Sequence, residues 1–158
     1  MERTPMTSRS HRALTEELKR LKSVERKKAS DAVAEARAHG DISENAEYDA
    51  AKEAQGLLEA RIRQLEQRLG TAQIIDVSKL SGDKVVFGAT VTLHDVDSGE
   101  ERKVTIVGED EADAEQGLIS YVSPLARALI GKSLDDIATV RLPAGQKEYE
   151  IVAVEFID

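Results

Sequence analysis

Between His39 and Asp49 the chain reads HGDISENAEYD. Asp41, Glu44, Glu47 and Asp49 stand there with no lysine or arginine among them. Carboxylate oxygens suit magnesium, which prefers octahedral oxygen coordination and keeps several of its waters. Asp41 and Glu44 are three apart, so the first turn of a helix starting here brings both side chains together. Two carboxylates are too few to hold magnesium tightly on their own. The same spacing is also a capping box, and acids suit a helix N-terminus on electrostatic grounds alone. Local sequence leaves both readings open. Arg37 and Lys52 flank the segment, and solvation or pairing with Glu35, Glu53 or Asp49 would account for them. His39 is placed to complement the dipole at the end of a preceding helix. Tyr48 reads as packing, Glu47 as an accessory acid at most.

Two long helical stretches must position these residues. From about His11 to Ala38 there is no Pro or Gly, and Leu14, Leu18 and Leu21 follow a helical face. The stripe continues more weakly through Ala29, Ala32, Val33 and Ala36. His39-Gly40 is a stop signal. A second stretch from about Ser43 to Ala72 carries Leu58, Ile62, Leu65, Leu69 and Ala72 at alternating four and three, the spacing of a coiled coil. Helices joined by so few residues lie antiparallel. At 1.5 Å per residue each is about 40 Å long. Alanines at 29, 32, 36, 46, 50 and 54 are expected to line a slim seam towards the turn.

After Ile75 the period falls to two. Ala89–Leu93, Lys103–Val107, Leu118–Val122, Ile137–Leu142 and Glu148–Phe156 read as strands, with a turn at Asp97-Ser98-Gly99. Ser123-Pro124, the run to Ile130 and then Gly131 read as a short helix with a serine cap, proline at the first position and glycine past the end. The expected class is α+β. Residues 1–75 form a coiled-coil hairpin with its tip at about 39–49, and residues 76–158 a globular antiparallel β domain with one short helix, entered through a linker at about 76–87.

Composition limits the possibilities further. The 158 residues contain no cysteine, which excludes disulfides and thiolate metal sites. No apolar run is long enough to span a bilayer, and the first ten residues lack the apolar run of a signal peptide, so a cytoplasmic protein without membrane contact is expected. Up to Ile75 there are 14 Lys and Arg against 13 Asp and Glu; from Asp76 onward there are 8 against 17, a net of −9. That acidic half argues against direct duplex binding and suits a protein partner.

The segment EARAHGDISENAEYDAAKEAQG resembles the tip of the bacterial GreA/GreB transcript cleavage factors. The resemblance extends through PMT near the start, Val85–Leu93, IVGEDEAD at Ile106–Asp113 and SPLARALIGK at Ser123–Lys132. It departs at Lys27, where many relatives have proline after an arginine, which puts a local helix distortion in question. The small, acid-interrupted cationic patch favours a GreA-like over a GreB-like member.

The resemblance implies a coiled coil that enters the secondary channel of RNA polymerase and an FKBP-like C-terminal domain that docks at the channel mouth. It implies that Asp41 and Glu44 reach the polymerase active site as ligands to its second magnesium, with no cofactor tightly bound to the free factor. It also implies that Arg37 and Lys52 meet the phosphates of the nascent RNA 3′ end, and that Ser123 and Pro124 contact polymerase. The expected function is stimulation of the polymerase's own hydrolysis of backtracked RNA, with no small-molecule substrate and no nuclease activity in the free protein. The alternatives are a channel-binding inhibitor of the same fold and a structural coiled-coil adaptor. No prolyl isomerase activity is expected, because the second half offers few aromatics, and Glu109–Asp113 reads as an acidic surface loop lacking the glycine of a calcium loop.

Overall fold

The computed structural model describes residues 3–39 and 45–157. By packing, one unit is His11–Ala72 and the other is Arg3–Ser10 together with Gln73–Asp158. The first residues, grouped with the hairpin on sequence, thus cluster with the sheet.

In the first unit, α1 (Ser8–Arg20) runs into a π-helical turn at Leu21–Glu25 and then into α2 (Arg26–Ala38); α3 (Asn45–Gly70) follows. In the wide turn the Arg26 amide donates to the Leu21 carbonyl, five residues back. One extra residue is thereby inserted. A strict heptad leaving Leu21 would pass through positions 25, 28, 32 and 35. Glu25 keeps its heptad position, and beyond it the inward positions are Ala29, Val33 and Ala36, each shifted by that one residue. The distortion left in question by Lys27 is therefore present without a proline.

On α3 the inward row is Tyr48, Ala51, Gln55, Leu58, Ile62, Leu65 and Leu69, an unbroken alternation of three and four. Ile62 and Leu65 are buried, with Leu14 and Leu21 buried on the facing segment. This corrects the expected alanine seam. Ala36 is buried and Ala29 half-buried, but Ala32, Ala46, Ala50 and Ala54 are exposed. The last three recur every four residues, and such a row drifts off a seam of period 3.5.

Ionic pairs cross the hairpin in antiparallel order. Arg61 grips Glu17 through two nitrogens at 2.8 and 3.0 Å, Lys22 lies 3.5 Å from Glu66, and Arg26 grips Glu59 at 2.8 and 2.9 Å. The Arg61 hydrogen bond holds the Glu17 carboxyl below its ordinary pKa, and the Arg26 hydrogen bond does the same for Glu59.

In the second unit, short strands β1 (Thr4–Thr7) and β2 (Ala72–Ile75) pair with each other. The PMT residues have a structural use here. Met6 and Thr7 are buried, and the Thr7 hydroxyl accepts from the Ser10 amide to cap α1 while donating to Glu111 at 2.6 Å. Arg9 also pairs with Glu111. Asp113 accepts from the Glu115 amide at 3.1 Å. Two acids of the 109–113 loop therefore serve local structure.

The main sheet has the order β5-β4-β3-β7-β6, with β3 (Thr90–Asp95), β4 (Glu101–Val107), β5 (Leu118–Ser120), β6 (Ile137–Leu142) and β7 (Gly145–Glu155). Three of its pairings are antiparallel, as expected; β4 and β5 pair parallel, which the sequence reading did not anticipate. Gly117 makes the entry to β5 possible. Its φ is +75°, and a Cβ there would sit 2.7 Å from the Lys103 carbonyl oxygen. Opposite Thr92 and Leu93 the register slips by one residue of β7, a bulge that curls the sheet. Val91, Leu93, Ile106 and Ile151 are fully buried beneath Leu129 of the short helix α4 (Pro124–Leu129).

Candidate functional site

Asp41 and Glu44 lie outside the described residues, in the connection between α2 and α3. The two helix ends that flank this connection in sequence are described. Arg37, on the last turn of α2, donates from Nη2 to the Tyr48 hydroxyl at 3.3 Å, with its guanidinium carbon 5.6 Å from the ring centroid. That hydrogen bond, aided by the charges of Arg37 and Lys52, holds the phenol below its ordinary pKa against the opposing effects of burial and Asp49. His39 Nδ1 lies 3.1 Å from Glu47 Oε2. Lys52 Nζ donates to the Gln55 side-chain oxygen at 3.3 Å.

Neither cation takes the acid partner that local sequence offered it. Arg37 meets Tyr48 and Lys52 meets Gln55, both neutral, so both cations are exposed with their charge not cancelled by those partners. Tyr48, expected to pack, is half-buried as the first inward residue of α3, and it also orients Arg37. Glu47, considered only as an accessory acid, instead links back to His39. Sequence reasoning missed these cross-turn links because positions eleven and eight apart become neighbours only once the helices reverse.

The second candidate surface is the start of α4. Ser123 caps it, its hydroxyl accepting from the Ala126 amide at 3.3 Å, and Pro124 occupies the first turn and is exposed. The cap fixes where the proline stands, and the proline in turn presents a rigid apolar surface.

Two family models cover nearly the whole chain: "Transcription elongation factor, N-terminal" over residues 4–74 and "Transcription elongation factor, GreA/GreB, C-term" over residues 80–156. The chain belongs to the GreA/GreB family of transcription elongation factors. It is 56% identical to the transcription elongation factor GreA of Phenylobacterium zucineum over 157 residues, covering 99% of this chain and 100% of that protein. It is 58% identical to that of Hyphomonas neptunium, covering 99% of each. Among solved structures, GreA factor homolog 1 of Thermus thermophilus aligns over 98% of this chain and 99% of its own, at 29% identity and a TM-score of 0.46. Within the GreA/GreB frame, the N-terminal family match contains the tip and its flanking cations, and the C-terminal match contains Ser123 and Pro124. No helix among the described residues is long and apolar enough to cross a membrane.

Proposed function

We propose that this protein is a GreA-type elongation factor that inserts its hairpin tip into the secondary channel of RNA polymerase and stimulates hydrolysis of backtracked RNA 3′ ends by the polymerase itself. The observation that carries this reading is identity of 56–58% with proteins named transcription elongation factor GreA across 98–100% of the chain. The intact Asp41/Glu44 pair supplies the chemistry that such a role needs.

The donor set fits magnesium. Two carboxylates offer hard oxygen ligands, yet fall short of an octahedral shell, so Asp41 and Glu44 would hold the ion jointly with polymerase groups and waters. When bound, magnesium in a two-metal site stabilises the attacking and leaving oxygens of phosphodiester hydrolysis. The chain's own contribution is to deliver both carboxylates on a narrow hairpin. Arg37, steadied by Tyr48, and Lys52 hold the phosphates of the displaced RNA 3′ end. Ser123 and Pro124 dock at the channel mouth.

The test is a cleavage assay on a stalled, backtracked elongation complex with and without the protein, alongside the protein mixed with RNA alone. Cleavage only when both factor and polymerase are present supports the reading. Channel occupancy without cleavage would instead support an inhibitor, and absence of binding would leave only an adaptor. Replacing Arg37 and Lys52 together by Ala should lower RNA crosslinking in the complex with modest loss of affinity for polymerase lacking RNA. Unchanged crosslinking at low salt would remove them from the mechanism.

A further inference from the structure

The segment from Gly40 to Glu44 joins His39 to the first residue of α3, Asn45, and it includes both Asp41 and Glu44. Little apolar burial holds the helix ends on either side of it. Of the nearest inward residues, Ala36 is buried, while Tyr48 and Ala51 are half-buried. The arginine–glutamate pairs that cross the hairpin lie farther along it, at Glu17 and Arg26. Two side-chain links span the ends here. His39 Nδ1 lies 3.1 Å from Glu47 Oε2, and just behind it Arg37 Nη2 donates to the Tyr48 hydroxyl at 3.3 Å. The second link presents a cation. The first has no such use. His39 stands at the end of α2 and Glu47 in the first turn of α3, where each would complement its own helix dipole alone. Neither dipole requires the two side chains to meet.

We propose that Glu47 is a positioning residue: through His39 it ties the first turn of α3 to the end of α2, and so limits the spacings open to Asp41 and Glu44 on the segment between. This rests on the reading of those two acids as joint ligands to magnesium. Octahedral coordination tolerates little error in ligand placement, and ligands carried on a connection need support from outside it. An imidazole protonated at Nδ1 donates to the carboxylate in its neutral and its charged form alike. The His39 and Glu47 side chains are 44% and 50% exposed, so the strap biases the segment rather than locking it. Its effect on rate is therefore moderate, far smaller than that of removing a ligand.

The experiment measures the single-turnover cleavage rate of a backtracked polymerase complex at saturating full-length factor, across a magnesium series, with polymerase affinity determined in parallel. The variants are Glu47→Ala, Glu47→Gln, His39→Ala, His39→Asn and the double alanine variant. Circular dichroism checks that each is folded. Glu47→Ala and His39→Ala should each lower the rate about three- to tenfold at limiting magnesium, with the deficit shrinking as magnesium rises. Gln accepts the same hydrogen bond and Asn can donate it, so both should keep most of the wild-type rate. The double alanine variant should fall no further than the worse single one, because both serve one link. Affinity for polymerase should stay within about twofold of wild type. Multiplying losses in the double variant, or equal losses in Glu47→Gln and Glu47→Ala, would assign the effect to helix-end charge and overturn the inference. If the wild-type protein stimulates cleavage and Glu47→Ala does so equally, the strap is wrong and the reading of Asp41 and Glu44 stands. If the wild-type protein stimulates none, that reading fails and takes the inference with it.

Discussion

The hairpin and the sheet unit hold themselves together by different means. In the sheet, Val91, Leu93, Ile106, Leu129 and Ile151 are each wholly removed from water. In the hairpin, among the described residues, only Ile62 and Leu65 approach that; Leu14, Leu21, Val33 and Ala36 are buried less completely, and the inward row of α3 nearest the tip is Tyr48, Ala51 and Gln55, with arginine–glutamate pairs on the surface. A two-helix rod has one narrow face to bury, whereas a curled sheet covered by a helix has a real interior. A two-helix rod cannot carry a large core, and the charge pairs along it are contacts that acid and salt can weaken. The sheet unit has no such restriction.

This contrast can be broken or sharpened by substitution. The largest effect is expected in the sheet. Leu93→Ala or Ile151→Ala should cost about 2–5 kcal/mol, read from chemical denaturation. A cost below about 1 kcal/mol would mean the sheet is not the stiffer region.

Leu65→Ala should come next. It removes one of two fully buried hairpin side chains and should lower helical circular dichroism while amide exchange in β3 and β7 stays slow. Equal loss of protection in the sheet would show that the two units unfold as one.

Acid should act on the hairpin selectively. Glu17 and Glu59 have folded pKa values below the ordinary glutamate range, so the unfolded chain binds protons more readily than the folded one. Their contribution is complete above about pH 5 and is lost as pH falls below the ordinary value near about 4.3 and through the lowered folded value. Helical signal monitored against pH should decline in that window, and high salt should shrink the decline. Arg26→Met with Glu59→Gln should flatten it in part; an unaltered acid limb would remove the Arg26–Glu59 pair from the account.

The smallest effect is expected at Tyr48. Tyr48→Phe keeps the ring beneath Arg37 and deletes only the hydroxyl, so cleavage should change little, while Tyr48→Ala should reduce RNA crosslinking by Arg37 more clearly. Equal behaviour of the two variants would mean the ring does not orient the cation.

Much of this arrangement was legible in the sequence. The helical hairpin, the five main strands and α4 followed from period and punctuation; Ser123-Pro124 with Gly131 is a complete start-and-stop signature. Strands β1 and β2 were not, because four residues are too few to show a period and Thr4–Thr7 contains a proline. The seam near the tip was misassigned because alanine fits both exposed and buried helical positions, and because Gln55, a seam residue, is polar. The one-residue shift at Leu21–Glu25 depends on a hydrogen bond five residues back, which no spacing rule records. The Asp41/Glu44 pair was legible as chemistry but ambiguous as to purpose.

That ambiguity is resolved by a measurement that keeps the cap and removes the charge. Asn caps a helix about as well as Asp, and Gln preserves the capping box at its third position. The measurement is the single-turnover cleavage rate of a backtracked polymerase complex at saturating factor, for wild type, Asp41→Asn, Glu44→Gln and the double variant, with polymerase affinity determined in parallel. If the two carboxylates hold magnesium together, each single change lowers the rate by orders of magnitude, the double loses little beyond the worse single, and affinity persists. Wild-type rates in both amide variants would contradict the account and leave Asp41 and Glu44 as a helix cap.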